Sequence, residues 1–78
     1  MNKATKDTLD NIVKEVLGVP VTDDLSMDTV SGWDSLRHIQ LMARIEKDFG
    51  IELDFKDTLA MTNVQSIRSI LEKYVSGK

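Results

Sequence analysis

Ser35 lies in the run Val30-Ser31-Gly32-Trp33-Asp34-Ser35-Leu36, where a loop gives way to an apolar-periodic helix. Asp34 suits the N-cap, because its carboxylate can accept from the first free backbone N–H groups of a helix. Ser35 then falls in the first turn, with its hydroxyl near the positive end of the helix dipole. A phosphate ester on that oxygen is electrostatically favoured there. The position therefore suits a serine that carries a phosphate-linked group. Taken as a tripeptide, Asp34-Ser35-Leu36 is equally an ordinary cap followed by a first-turn serine.

A hydroxyl is a weak nucleophile unless a base activates it. His38, the only histidine, stands three residues on and could touch Ser35 across one turn. With Asp34 the set outwardly matches a hydrolase triad. No oxyanion hole or pocket is evident, however, and capping engages Asp34, so His38 is expected to be a solvated helix-face residue. Trp33, the only tryptophan, is expected to bury its ring under the loop, or alternatively to meet a partner or a bound group. Asp23, Asp24 and Asp28 hint at a calcium loop, but no turn glycine and no closing glutamate complete one, so no metal site is expected.

The elements that must position these residues follow from apolar spacing. Leu9, Ile12, Val13, Val16 and Leu17 form one helical stripe, with Thr5 as the expected N-cap and Gly18 as terminator before Pro20. Residues 18–33 form a long connection, expected to be pinned by Val19, Val21, Leu25, Met27 and Val30. A second helix is predicted from Ser35 to Phe49, its buried face made by Leu36, Ile39, Met42, Ala43, Ile45 and Phe49, with Leu41 off that stripe and Gly50 as terminator. Ile51, Leu53 and Phe55 alternate with acids, but no strand is evident to pair with them, so an extended link is expected. A short helical turn near Lys56–Ala60 follows. The last helix opens on Thr62-Asn63-Val64-Gln65, which matches a capping box, buries Val64, Ile67, Ile70, Leu71 and Val75, and ends before Gly77. The expected fold is all-α: a small four-helix bundle of three main helices and one short helix, in a single domain spanning residues 1–78.

With 78 residues and no cysteine, thiolate metal sites and disulfides are excluded, and any thiol chemistry must come from an attached cofactor. A net charge of −3 argues against nucleic acid as a partner. No apolar stretch approaches a membrane span and no signal-peptide core is evident, so a cytoplasmic location is the default expectation. No surplus apolar face is evident, so a monomer is expected.

The chain resembles the acyl carrier proteins of the phosphopantetheine-dependent family. The residues that carry the resemblance are Gly32-Trp33-Asp34-Ser35-Leu36, then Ile39, Leu41, Ile45-Glu46 and Phe49-Gly50-Ile51, and it extends from the first helix to Val75. It implies that Ser35 is esterified with 4′-phosphopantetheine from coenzyme A, flanked by Asp34 and Leu36, with Asp34 assisting the metal site of the phosphopantetheinyl transferase. It implies a carrier without catalytic activity of its own, whose cofactor thiol holds an acyl or aminoacyl group as a thioester. The implied partners are that transferase, an acyl- or aminoacyl-loading ligase or acyltransferase, and a downstream synthase or transferase. The candidate recognition surface comprises Trp33, Arg37, His38, Gln40, Leu41, Arg44 and Lys47. Long acyl cargo would need a cavity, expected among Met42, Ile45, Ile51, Met61 and Ile67.

One feature departs from the family. Its fatty-acid members present an acidic second helix, whereas from Asp34 to Phe49 this chain has three basic residues (Arg37, Arg44, Lys47) and three acidic ones (Asp34, Glu46, Asp48). Charge complementarity steers encounters. The neutral helix points to a dedicated pathway (polyketide, nonribosomal peptide, aminoacyl or modified acyl) ahead of bulk fatty-acid synthesis. The competing readings are an unmodified helical interaction module and, further off, a small hydrolase using Ser35 and His38.

Overall fold

In a computed structural model, which describes residues 2–76, the chain forms four helices: α1 (Lys3–Leu17), α2 (Ser35–Phe49), α3 (Phe55–Ala60) and α4 (Val64–Ser76). The all-α expectation holds, with three long helices and one of six residues. No β-ladder forms among the described residues. An isolated antiparallel bridge pairs Ser26 with Asn63.

The apolar stripe of α1 is buried as its spacing requires, at Leu9, Ile12, Val13, Val16 and Leu17. Its cap differs from expectation. Asn2 is the N-cap, its Oδ1 accepting from the Thr5 N–H at 2.8 Å, so Thr5 lies inside the first turn. Asn is as good a cap as Thr and stands three residues earlier, which wins one more turn of backbone hydrogen bonds. Both long-helix terminators are left-handed glycines, Gly18 at φ +71° and Gly50 at φ +65°, a conformation that a Cβ disfavours. The predicted end near Gly77 lies outside the described residues.

The connection from Gly18 to Asp34 is held down by Leu25 and Trp33, with Val19, Val21, Met27 and Val30 packed half-buried beside them. Backbone bonds stitch it to the α3–α4 junction: Met27 N–H donates to the Thr62 carbonyl and Val64 N–H to the Leu25 carbonyl, both at 2.9 Å. Arg68 of α4 reaches Asp23 at 2.8 Å and Asp10 of α1 at 3.5 Å, anchoring the acidic loop to two helices. The Arg68 guanidinium hydrogen-bonded to it holds the Asp23 carboxyl below its ordinary value.

The capping box expected at Thr62 is also shifted. Asn63 caps α4, its Oδ1 accepting from the Ser66 N–H at 2.8 Å, while the Thr62 carbonyl is committed to Met27. Asn63→Ala is expected to lower stability by about 1 kcal/mol, as for a lost side-chain cap. Thr62→Ala should stay within about 0.5 kcal/mol. Equal losses in urea denaturation would reassign the cap.

The link at 51–54 is extended, as expected. Leu53 turns into the core, its N–H donating to Glu46 Oε2 at 2.8 Å. Phe55, the next apolar residue in the alternation, is 77% exposed because α3 begins there and reorients it.

Candidate functional site

The N-terminus of α2 has the predicted local geometry. Asp34 is extended (φ −102°, ψ −173°) and its Oδ1 accepts from the Arg37 N–H at 2.9 Å. Ser35 is the first helical residue and is exposed. It lines a groove of about 590 Å³ between α2 and α3, together with Met27, Ile39, Met42, Phe55 and Leu59. A phosphate ester at Ser35 would meet the helix's positive end, and an arm leaving it would have an apolar trough alongside. These residues fit a phosphate-linked chain.

The second helix carries two overlapping apolar stripes, and the expected buried face holds at Met42, Ile45 and half-buried Phe49 but not at Leu36, Ile39 and Ala43. Leu36 (63% exposed) and Ile39 (66%) face outward with Ala43, whereas Leu41 is fully buried beside Met42 and Ile45. Ile39 and Leu41 lie about 160° apart at ~100° per residue, so they cannot share a face. The core takes Leu41 because α1 and α4 close on that side. Leu41 and Trp33 (2% exposed) are therefore core residues and do not contribute to a recognition surface. The cavity expected among Met42, Ile45, Ile51, Met61 and Ile67 also differs. Ile45, Met61 and Ile67 are closed in the core, and only Met42 of the five lines the groove.

Two of the three basic residues on α2 are tied to α1, although Arg37 stays exposed and Arg44 half-exposed. Arg37 Nη1 donates to the Val16 carbonyl in the last turn of α1 at 2.8 Å. Arg44 pairs with Glu15 of α1 at 2.7 Å and with Asp48 at 3.4 Å. The hydrogen bond to Glu15 does most to raise the Arg44 pKa above its ordinary value. Gln40 and Lys47 remain exposed, as expected of surface residues. From Ser35 to Lys47, the exposed positions include no acidic residue.

His38 is half-buried, not solvated as expected. Its Nδ1 accepts from Trp33 Nε1 at 3.1 Å, its Nε2 lies 2.7 Å from the Thr58 carbonyl, and its ring stacks on the indole with centroids 6.1 Å apart. An indole N–H only donates and a carbonyl only accepts, so the proton sits on Nε2. Both ring nitrogens are thereby occupied, and neither offers a lone pair to the Ser35 hydroxyl. The outward resemblance to a hydrolase triad has no working base.

The sequence reading missed α3 as a wall of this site. Phe55 and Leu59 (61% exposed) stand four residues apart on it, one helical turn. That spacing was visible, but six residues of helix give too little periodicity to tell an exposed pair from a buried one.

Tyr74 of α4 holds the other end of α3. Its hydroxyl donates to Asp57 Oδ2 at 2.5 Å and accepts from the Asp54 N–H at 3.0 Å. The Asp54 N–H favours the phenolate, but the bond donated to Asp57, partial burial and the two carboxylates outweigh it and raise the Tyr74 pKa above 10.0. A raised pKa in the fold means that the neutral phenol stabilises it. That contribution is complete below the unfolded value near 10 and is lost as pH rises through the folded one. Tyr74 is the only tyrosine, so tyrosinate absorbance reports it directly. The native midpoint is expected above 10.0 and to fall to the unfolded value in denaturant. A native midpoint at or below 10.0 would contradict the bond to Asp57.

No curated protein matches the chain. The sequence model of the family described as phosphopantetheine attachment site matches residues 7–71, which span all of α2 and α3 and most of α1 and α4. The match covers most of the chain, so the protein belongs to the phosphopantetheine attachment-site family, the carrier domains to which 4′-phosphopantetheine is covalently joined.

Proposed function

We propose that Ser35 is the residue that receives 4′-phosphopantetheine, and that the protein carries acyl or aminoacyl intermediates as thioesters for a dedicated biosynthetic pathway. The observation that carries the attachment residue is an exposed serine at the first position of a capped helix, beside the apolar groove, in a chain of this family. The bound cofactor supplies the thiol that this cysteine-free chain lacks. Asp34 holds the turn by capping it and, on the family resemblance, lends its carboxylate to the transferase's metal site. Leu36, exposed one residue on, flanks the attachment point.

His38 has no lone pair for Ser35, so the base that activates the hydroxyl comes from the transferase. The protein acts as the substrate of its partners: a phosphopantetheinyl transferase, a loading ligase or acyltransferase, and a downstream synthase or transferase. The choice of pathway is supported by the outward face of α2, where Leu36, Arg37, Ile39, Gln40, Ala43 and Lys47 are exposed with no acid among them, unlike the acidic second helix of fatty-acid carriers. No helix among the described residues is long and apolar enough to cross a membrane. We place the protein in the cytoplasm; the monomer expected from the lack of a surplus apolar face loses that ground, since Leu36, Ile39, Phe55 and Leu59 stand exposed on α2 and α3. Transfer from coenzyme A, located by peptide mass mapping, tests the attachment residue. Loading trials with acyl and aminoacyl ligases test the cargo class.

A further inference from the structure

The turn that presents Ser35 is braced on both sides by consecutive side chains. Arg37 reaches the last turn of α1 through the Val16 carbonyl, and His38 reaches the last turn of α3 through the Thr58 carbonyl. Carbonyls in a helix's last turn lack the ordinary intrahelical donors. Arg37 supplies one to Val16, whereas the Thr58 carbonyl also accepts from the Met61 N–H at 3.3 Å, and His38 adds a second, shorter bond at 2.7 Å. The His38 contact matters more, because α3 has little else to fix it. The helix has six residues, none of them buried, and no side chain caps its N-terminus. Its place is set by Leu53 before it and Met61 after it, by Tyr74 at its first turn, and by His38 at its last.

We infer that His38 is a positioning residue that locks α3 to the Ser35 turn, so that a modifying enzyme meets the serine and the groove wall as one prearranged surface. The inference rests on Ser35 being the attachment residue. The lock has no slack in its hydrogen bonding. Trp33 Nε1 fixes the acceptor at Nδ1, which directs the remaining N–H at the Thr58 carbonyl. Trp33 is itself buried in the loop that leads into Ser35, so one imidazole ties together the loop, α2 and α3. Elements with few buried apolar contacts open most readily, and α3 is such an element. When it opens, Phe55 and Leu59 leave their positions opposite Ile39. A partner must then reorder them on binding, which weakens association without altering the chemistry at the hydroxyl.

The test uses the full chain and three variants. His38→Asn keeps an acceptor near the Trp33 indole but is too short to reach Thr58. His38→Gln retains both reach and an amide N–H. His38→Phe keeps a ring against Trp33 and removes both hydrogen bonds. Amide hydrogen exchange across Lys56–Ala60 reads the lock directly. Steady-state transfer from coenzyme A by a phosphopantetheinyl transferase, with the carrier as varied substrate, reads its consequence.

In His38→Asn and His38→Phe, α3 exchange should quicken and KM for the carrier should rise about fivefold, the equilibrium effect of one net hydrogen bond, with kcat nearly unchanged. His38→Gln should restore both toward wild type. Unchanged α3 exchange in a folded His38→Asn protein overturns the inference, and so does faster exchange with unchanged KM. If wild type itself takes no phosphopantetheine, the attachment proposal fails, and the exchange data alone then decide whether His38 holds α3.

Discussion

Incubated with coenzyme A, magnesium and a broad-specificity phosphopantetheinyl transferase, the Ser35→Ala protein is expected to gain no mass, while wild type gains one phosphopantetheine unit on Ser35. The effect is all-or-none because the acceptor oxygen itself is removed. No cysteine is present as a substitute nucleophile. The other serines do not stand at the first position of a long, side-chain-capped helix: Ser26 and Ser31 lie in the connection, and Ser66, Ser69 and Ser76 belong to α4, which begins at Val64. The fold should be untouched. Ser35 is exposed, its side chain fills no core space, and alanine is the better helix former, so stability should move by no more than about 0.5 kcal/mol. Intact mass and thermal melting, read together, separate loss of the site from loss of the fold. A folded wild type left unmodified by several transferases would favour an unmodified interaction module. Modification retained in Ser35→Ala would move the site to another residue.

Leu41→Ala is expected to cost about 2–5 kcal/mol, the range for truncating a fully buried leucine. A domain of this length has a net stability of about 4–12 kcal/mol, so the substitution removes a large share and can unfold the protein outright. Two positions away on the same helix, Ile39→Ala should cost no more than about 0.5 kcal/mol, because Ile39 is mostly exposed. The pair is a direct test of how α2 is rotated. Denaturation that showed Ile39→Ala as the costly change would restore the face expected from the sequence and place Leu41 on the surface. The contrast also separates two kinds of defect: a Leu41 variant should fail through loss of fold, an Ile39 variant through altered partner contact with the fold intact.

The particulars show where the sequence sufficed. Helix positions on α1 and α4 were legible because each helix carries one apolar stripe, and a single stripe has only one way to face a core. Asp34, Ser35 and the glycine stops were legible because cap chemistry is local: a carboxylate next to free N–H groups and a left-handed glycine need no distant partner. The caps at Asn2 and Asn63 were misplaced by only a few residues, since neighbouring Asn and Thr side chains compete for the same amides with similar strength.

The tertiary structure decided everything that depended on a distant neighbour. With apolar residues at 36, 39 and 43 and again at 41, 42 and 45, periodicity allows two rotations of α2, and only the positions of α1 and α4 choose between them. Arg37 and Arg44 read as surface charges until Val16 and Glu15 stand beside them. His38 reads as a solvated residue until Trp33 from the loop and Thr58 from α3 occupy both its nitrogens. By itself, the sequence determined the helical class and the capped serine at the start of α2, because those rest on contacts within a few residues. Packing alone decided which face of α2 stays exposed and what braces the turn, because the bracing contacts to α1 and α3 join residues 20 or more positions apart.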